Sequence, residues 1–331
     1  MIQTESVAEV RVERTRPRSR PWTRVAAWVG ILSAATALGL LLPEYQLGIA
    51  VTALVFGALC QAWHIQGGLA GQFSFAHGLY IGCGAYSTVI LSGEHGWPFF
   101  AAVAVAVVMA VAFSSLLDAL GERFGLKHLS FALLTLAVGE VGLLAVQGTE
   151  ALGGHAGIVW LSSPLDLDTR GFFFVLLGLN VVTLLVVLYV WPRRLGLEFR
   201  AVASNEVAAS GIGVAPLRVR LAAGALSAGF TAIAGAFYGL FIGYVDPLTF
   251  AGVTLVIQIV LYTVIGGAGT RYGPLIGPLV AVPVVEVLRA EFAELPGLAF
   301  VIFGLAVVAV ILLLPGGLAG LGSRLRSGRR A

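Results

Sequence analysis

Between Ile65 and Tyr86 the chain reads "IQGGLAGQFSFAHGLYIGCGAY". Six glycines surround Gln72, Ser74 and His77, an amide, a hydroxyl and an imidazole within six residues. Such a group can hold a polar solute or relay a proton, and flanking glycines let other backbones approach closely. A lone histidine in an apolar run reads as a packing residue, but its polar neighbours raise the weight of a functional reading. Residue chemistry leaves two accounts level, a tight helix crossing and a broken segment that lines a cavity.

Glu140, in "FALLTLAVGEVGLLAV", is the sharpest ionisable group inside an apolar run. An ionised side chain at the centre of a membrane helix costs about 2.5 to 3.5 kcal/mol, so Glu140 must be protonated, paired or turned toward a polar cavity. A helix-to-helix hydrogen bond and a transport role stand equal for it. Glu286 and Arg289, in "VAVPVVEVLRAEF", have the spacing of an ion pair on one helix face, and a structural reading is preferred there. Tyr86 and Thr135 complete the set of solute-pathway candidates.

Enzyme chemistry finds no support in the sequence. The only lysine, Lys127, stands in no G-K-[S/T] phosphate loop, and no serine sits in a G-x-S-x-G elbow. His64, His77, His95, His128 and His155 form no H-E-x-x-H pattern, and Cys60 and Cys83 define neither a metal site nor a disulfide framework. No metal and no bound cofactor are expected.

The elements that must position these groups are apolar helices. Of 331 residues, 58% are hydrophobic and 11% charged, too few charges to coat a water-facing globule, for which about 25% is usual. Runs of about 20 apolar residues suit helices that cross a bilayer. None shows the short alternation of a membrane strand. The expectation is an all-α, polytopic transmembrane bundle of about ten spans, near 25–42, 47–64, 75–92, 98–119, 128–147, 171–191, 221–243, 250–267, 274–290 and 296–315, with eight to ten as the range. Segment 65–80 is open to a re-entrant course. The first run follows six arginines but is too long for a secretory signal and lacks a small-residue cleavage site before the next span, so it reads as an uncleaved helix.

With both termini in the cytoplasm, 18 of the 20 Lys and Arg residues fall on the cytoplasmic side and only Arg170 and Arg289 remain outside. Cytoplasmic loops retain such residues. The division is a basic arm 1–24, a membrane domain 25–316 and a basic tail 317–331. Arm and tail read as topological anchors, with anionic lipid as the alternative partner; despite the net charge of +3, nucleic acid is not expected.

The loop 192–220, "PRRLGLEFRAVASNEVAASGIGVAPLRVR", is the longest hydrophilic stretch between spans. Leu195, Phe199 and Val202 share one apolar side at helical spacing, Asn205 is placed to cap "EVAAS", and Gly211 and Gly213 end that turn. Docking into a partner's groove and lying on the membrane surface are equal readings of this amphipathic piece.

These stretches together resemble the permease subunits of branched-chain amino acid ABC transporters, of the LivM type. "GGLAGQFSFAHGLYIGCGAY" resembles the signature near the family's start. "LSFALLTLAVGEV" is similar to its F-A-x-x-T-L-A-x-x-E helix and "LGGHAGI" to its G-G-x-x-G-[I/L] outer loop. "LGLEFRAVASNEVAASGIGV" resembles the segment with the E-x-A-A-x-x-x-G coupling motif. "SAGFTAIAGAFYGLFIGYVDPLTF" and "VIGGAGTRYGPLIGPLV" are similar to the paired late segments.

The resemblance implies a transport subunit in a prokaryotic inner membrane, without an ATPase site of its own. ATP with Mg would be used by two cytoplasmic ATPase subunits, beside a second permease and an extracytoplasmic solute-binding protein. It puts Glu206, Ala208, Ala209 and Gly213 on the coupling motif and tilts Gln72, Ser74 and His77 toward the pathway. Gly67, Gly68, Gly71 and Gly84 are its structural glycines, with Gly266, Gly267 and Gly269 in "IGGAGTRYG", which echoes "IQGGLAG" in the other half. The chain departs from the family at Phe75, Ala76 and His155. Branched-chain amino acids are the leading solute, with urea, amides or aromatic acids as alternatives; a proton-coupled secondary transporter using Glu140 is the reading from another class.

Overall fold

The computed structural model describes residues 21–160, 164–292, 294, 296–314 and 316–320. The basic arm before residue 21 and the tail after residue 320 lie outside the described residues. The chain divides into two units. The first ends at Leu42 and holds α1 (Pro21–Leu41); the second begins at Pro43.

In the second unit α2 (Glu44–Trp63) runs into a π turn at His64–Leu69. After an irregular stretch comes α3 (His77–Thr88), with a second π turn at Val89–Glu94. Then follow α4 (Phe99–Arg123), α5 (His128–Gln147) and α6 (Thr169–Val190). Two short helices, α7 (Arg194–Ser204) and α8 (Glu206–Gly211), occupy the hydrophilic loop. The rest comprises α9 (Pro216–Ile242), α10 (Pro247–Ala251), α11 (Val253–Gly266), α12 (Gly273–Glu291) and α13 (Pro296–Leu313).

The ten apolar runs fall on helices, and among the described residues six helices are long and apolar enough to cross a bilayer. The run 75–92 yields a shorter α-helix than expected because residues 75 and 76 stay irregular and Val89–Glu94 winds as a π turn, and Gly252, extended at φ −70° and ψ 149°, separates α10 from α11. Among the described residues the strands are a two-residue antiparallel ladder, β1 (Ile158–Val159) on β2 (Tyr244–Val245), which ties the loop after α5 to the end of α9.

Apolar side chains gain little by leaving lipid for protein, so close packing and interhelical hydrogen bonds must hold such a bundle together. The backbones of α3 and α9 touch: a Cβ at Gly84 would overlap the carbonyl of Ala232, and one at Gly235 would come 2.5 Å from the carbonyl of Ile81. Asn180 of α6 donates to the carbonyl of Leu54 at 2.8 Å and accepts from Gln61 Nε2 at 2.8 Å, locking α6 onto α2.

Gly84→Ala forces α3 off α9 and should cost about 1–3 kcal/mol, the usual cost of overpacking. Gly178→Ala, with nothing within 4 Å of its added methyl, should leave thermal unfolding in detergent unchanged or raise it by about 0.5–1 kcal/mol.

Candidate functional site

The glycine-rich segment forms the passage between α2 and α3. Gly71, at φ 68°, makes the reversal after the π turn, with Ala203 of α7 packed against it. The chain then climbs into the bundle in irregular conformation. Trp63 Nε1 donates to the carbonyl of Ser74 at 3.1 Å, and the amide of Phe75 donates to Thr135 Oγ1 at 3.0 Å. Thr135 itself donates to the carbonyl of Ala132, at 2.9 Å. His77 opens α3 with Nε2 2.8 Å from Ser227 Oγ, and that hydroxyl lies 2.7 Å from the carbonyl of Ala62. A hydroxyl has one proton, so when Ser227 gives it to Ala62 the imidazole must carry its proton on Nε2 and donate. α3 therefore starts level with Ala62, seven residues back from Leu69 on the preceding helix, or about 10 Å inside the end of the bundle at 1.5 Å per residue. Irregular backbone is tolerated at such depth where protein buries it and satisfies its polar groups.

Below this climb lies a charged network. Asp118 of α4 is fully buried and accepts from Gln72 Nε2 at 2.8 Å and Gln66 Nε2 at 3.3 Å, both through Oδ1. Its other oxygen, Oδ2, and Ser114 Oγ face Gly224 of α9, where a Cβ would overlap both. One turn before Gly224 stands Arg220, whose guanidinium spans two elements. It donates to Glu122 at the end of α4 and, at 2.7 Å, to Glu206 at the start of α8. The Arg220 side chain is 13% exposed, against 31% and 32% for the two glutamates. A cavity of about 30 Å³ between Gly71, Gln72, Lys127, Ala203, Glu206 and Arg220 joins the network to the glycine turn.

The loop packs on this end of the bundle. Phe199 and Val202 of α7 bury themselves with Ile65, Leu69, Val190 and Val219, so its apolar side faces the chain's own core, neither a partner groove nor a lipid surface. Asn205 caps α8, accepting from the amide of Ala208 at 3.0 Å. Ala209 points into the core, while Val207 and Ile212 are each 79% exposed beside Ala208. The second glycine turn reaches the same loop: the guanidiniums of Arg271 and Arg200 lie 4.9 and 4.8 Å from the ring centre of Trp191. A Cβ at Gly68 would come 3.0 Å from the carbonyl of Ala268, so the two glycine-rich segments meet.

The pathway candidates thus separate. Gln72 belongs to the Asp118 network, and Ser74, His77 and Thr135 hold the climbing segment. Tyr86 is buried farther along α3, its hydroxyl without a hydrogen bond. Glu140 is half-buried on α5 and makes no ion pair among the described residues. Ala76 fills a buried position at φ −70°, a conformation that asks for no glycine, and His155 is exposed in the outer loop. Gly67 lies against the Trp63 ring, Gly266 against the backbone of Gly273, and Gly213 and Gly267 take φ of 87° and 110°; Gly269 has open space around it. Sequence reasoning missed Asp118, Gln66, Arg220 and Glu122. Asp118 carried the same signal as Glu140, an acid inside an apolar run, but it stood at the expected span's end, beside charges assigned to a loop.

Arg220→Gln leaves two carboxylates facing each other and should cost about 1–3 kcal/mol, between the values for exposed and buried pairs. Amide exchange over residues 205–215 should quicken markedly, and Arg220→Lys should restore part of the protection.

The family model described as branched-chain amino acid transport system / permease component matches residues 45–314. The high-affinity branched-chain amino acid transport system permease protein LivM of Escherichia coli (strain K12) is 28% identical over 297 residues, covering 80% of this chain and 68% of that protein. LivM of Salmonella typhimurium is 27% identical with the same coverage, and LivH of Escherichia coli (strain K12) is 25% identical over 284 residues, 76% of this chain and 87% of that protein. No solved structure matches the chain. These relatives are named as transport permeases, not enzymes. With six helices of membrane-crossing length among the described residues and a family match over most of its length, the chain is a multi-pass membrane protein that belongs to the branched-chain amino acid permease family.

Proposed function

We propose that the chain is one permease subunit of a binding-protein-dependent importer that moves branched-chain amino acids inward across a prokaryotic inner membrane. ATP, with Mg, is hydrolysed by two partner subunits. The observation that carries this reading is the exposed apolar surface at α8, Val207 and Ala208 on the helix and Ile212 just after it, tied by Glu206 and Arg220 to the transmembrane core. An apolar helix face held out on a polar loop suits a groove on a partner protein. In this reading Glu206, Ala209 and Gly213 set the helix in place, while Ala208 and its neighbours meet the ATPase.

Both termini and the α7–α8 end then face the cytoplasm, with ten crossings. Similarity to both LivM and LivH, named for the same transport system, supports a membrane core of two related permeases. An extracytoplasmic binding protein delivers the solute to the opposite end.

Two measurements test the reading. Val207→Asp with Ile212→Asp should abolish copurification with the ATPase subunits, while the fold, changed only at exposed positions, loses no more than about 0.5 kcal/mol. In vesicles holding the complete importer, leucine uptake should require both ATP and the binding protein. Uptake by this chain alone, driven by a proton gradient and lost in Glu140→Gln, would overturn the importer in favour of a secondary transporter.

A further inference from the structure

At the end of the bundle away from α7 and α8, helices α2, α9, α11 and α12 enclose a cavity of about 360 Å³. That is within the range of small-molecule sites, roughly 300–1,000 Å³. Its walls combine two chemistries. Phe56, Leu255, Val282 and Val285 give an apolar lining, and Phe56 packs edge-on to Tyr262 with ring centres 5.2 Å apart. The polar lining comes from Tyr238, Tyr262, Gln258, Thr52, Glu286 and Arg289. The rings of Tyr238 and Tyr262 are buried, and neither their hydroxyls nor the Gln258 amide has a hydrogen bond among the described residues. Polar groups that line the cavity without a protein partner are available to hydrogen-bond an occupant.

Glu286 accepts from Arg289 Nη1 at 3.2 Å, with 31% and 44% of the two side chains exposed. On α12, Val282, Val285, Glu286 and Arg289 follow one another along a single face. Glu286 and Arg289 therefore sit about 6 and 10 Å farther out along the helix than Val282. Thr52 and Glu286 also line a second cavity of about 400 Å³ next to Tyr45, Gly48 and Phe241, so the carboxylate stands between the two spaces.

A carboxylate and a guanidinium side by side at the outer end of an aromatic and aliphatic cavity match an α-amino acid with a branched apolar side chain. The carboxylate suits its ammonium, and the guanidinium's planar fork suits its carboxylate. We infer that this cavity holds the solute on its way through the permease, with Glu286 at the ammonium, Arg289 at the carboxylate, and Phe56, Leu255, Val282 and Val285 around the side chain. The inference rests on the importer reading and assigns it a place in this chain.

The test uses the complete importer in vesicles with labelled leucine. Glu286→Gln and Arg289→Gln should each lower uptake about tenfold while ATP hydrolysis and copurification with the ATPase subunits stay unchanged. The exchange Glu286→Arg with Arg289→Glu keeps an ion pair on the helix but reverses its polarity. It should retain the wild-type Tm and remain as impaired as the single variants; restored uptake would overturn the inference, since a purely structural pair survives reversal. Thr254→Phe, at an exposed position on the cavity wall, should fold normally and block leucine, and wild-type uptake there would overturn it as well. Absence of ATP-driven uptake by the wild-type importer would count instead against the importer reading.

Discussion

Arg220 joins three parts of the protein that the chain keeps far apart. It belongs to α9, pairs with Glu122 at the end of α4 and with Glu206 at the start of α8, and lies one turn from the glycine that receives the Asp118 carboxylate. Charges placed at the end of a membrane bundle must be neutralised locally, because the surroundings offer little solvation. That requirement fixes where α8 sits. Without the bridge, the loop would rest on the apolar contacts of α7 and of Ala209 and Val214.

The same end carries both glycine-rich turns. The first passes from Leu69 to His77 and gives the Gln72 amide to Asp118; the second passes from Gly266 to Gly273 and sends Arg271 onto Trp191 beside α7. The two glycine-rich segments touch at Gly68 and Ala268, so both meet α7 at one end of the bundle. Glycine is needed at the contact because a side chain would hold the segments apart, and at Gly71 because the turn requires a positive φ.

Much of this was legible in the sequence. Hydropathy located the long helices, six of which among the described residues are of membrane-crossing length, since a bilayer demands long apolar runs and little else competes with that signal. The Asn205 cap and the Glu286–Arg289 pair followed from local spacing. Contacts between distant residues were not legible. Gln72 and His77 were read as one polar cluster because they are neighbours in sequence, yet the climb of residues 70–76 carries one to Asp118 and the other to Ser227. Thr135 was singled out for its hydroxyl, but its partner, the amide of Phe75, belongs to a backbone whose course no periodicity encodes. Arg220 was counted only among the positive charges of a loop, because an ion pair spanning 98 residues leaves no trace in local pattern.

The most direct test of this arrangement is the number of leucine molecules moved per ATP hydrolysed by the reconstituted importer, with wild-type and Arg220→Gln measured side by side. If Arg220 links α8 to the glycine-rich turns, hydrolysis continues with the ATPase subunits still bound, and transport per ATP falls by about tenfold or more. An unchanged ratio in the variant would contradict the account.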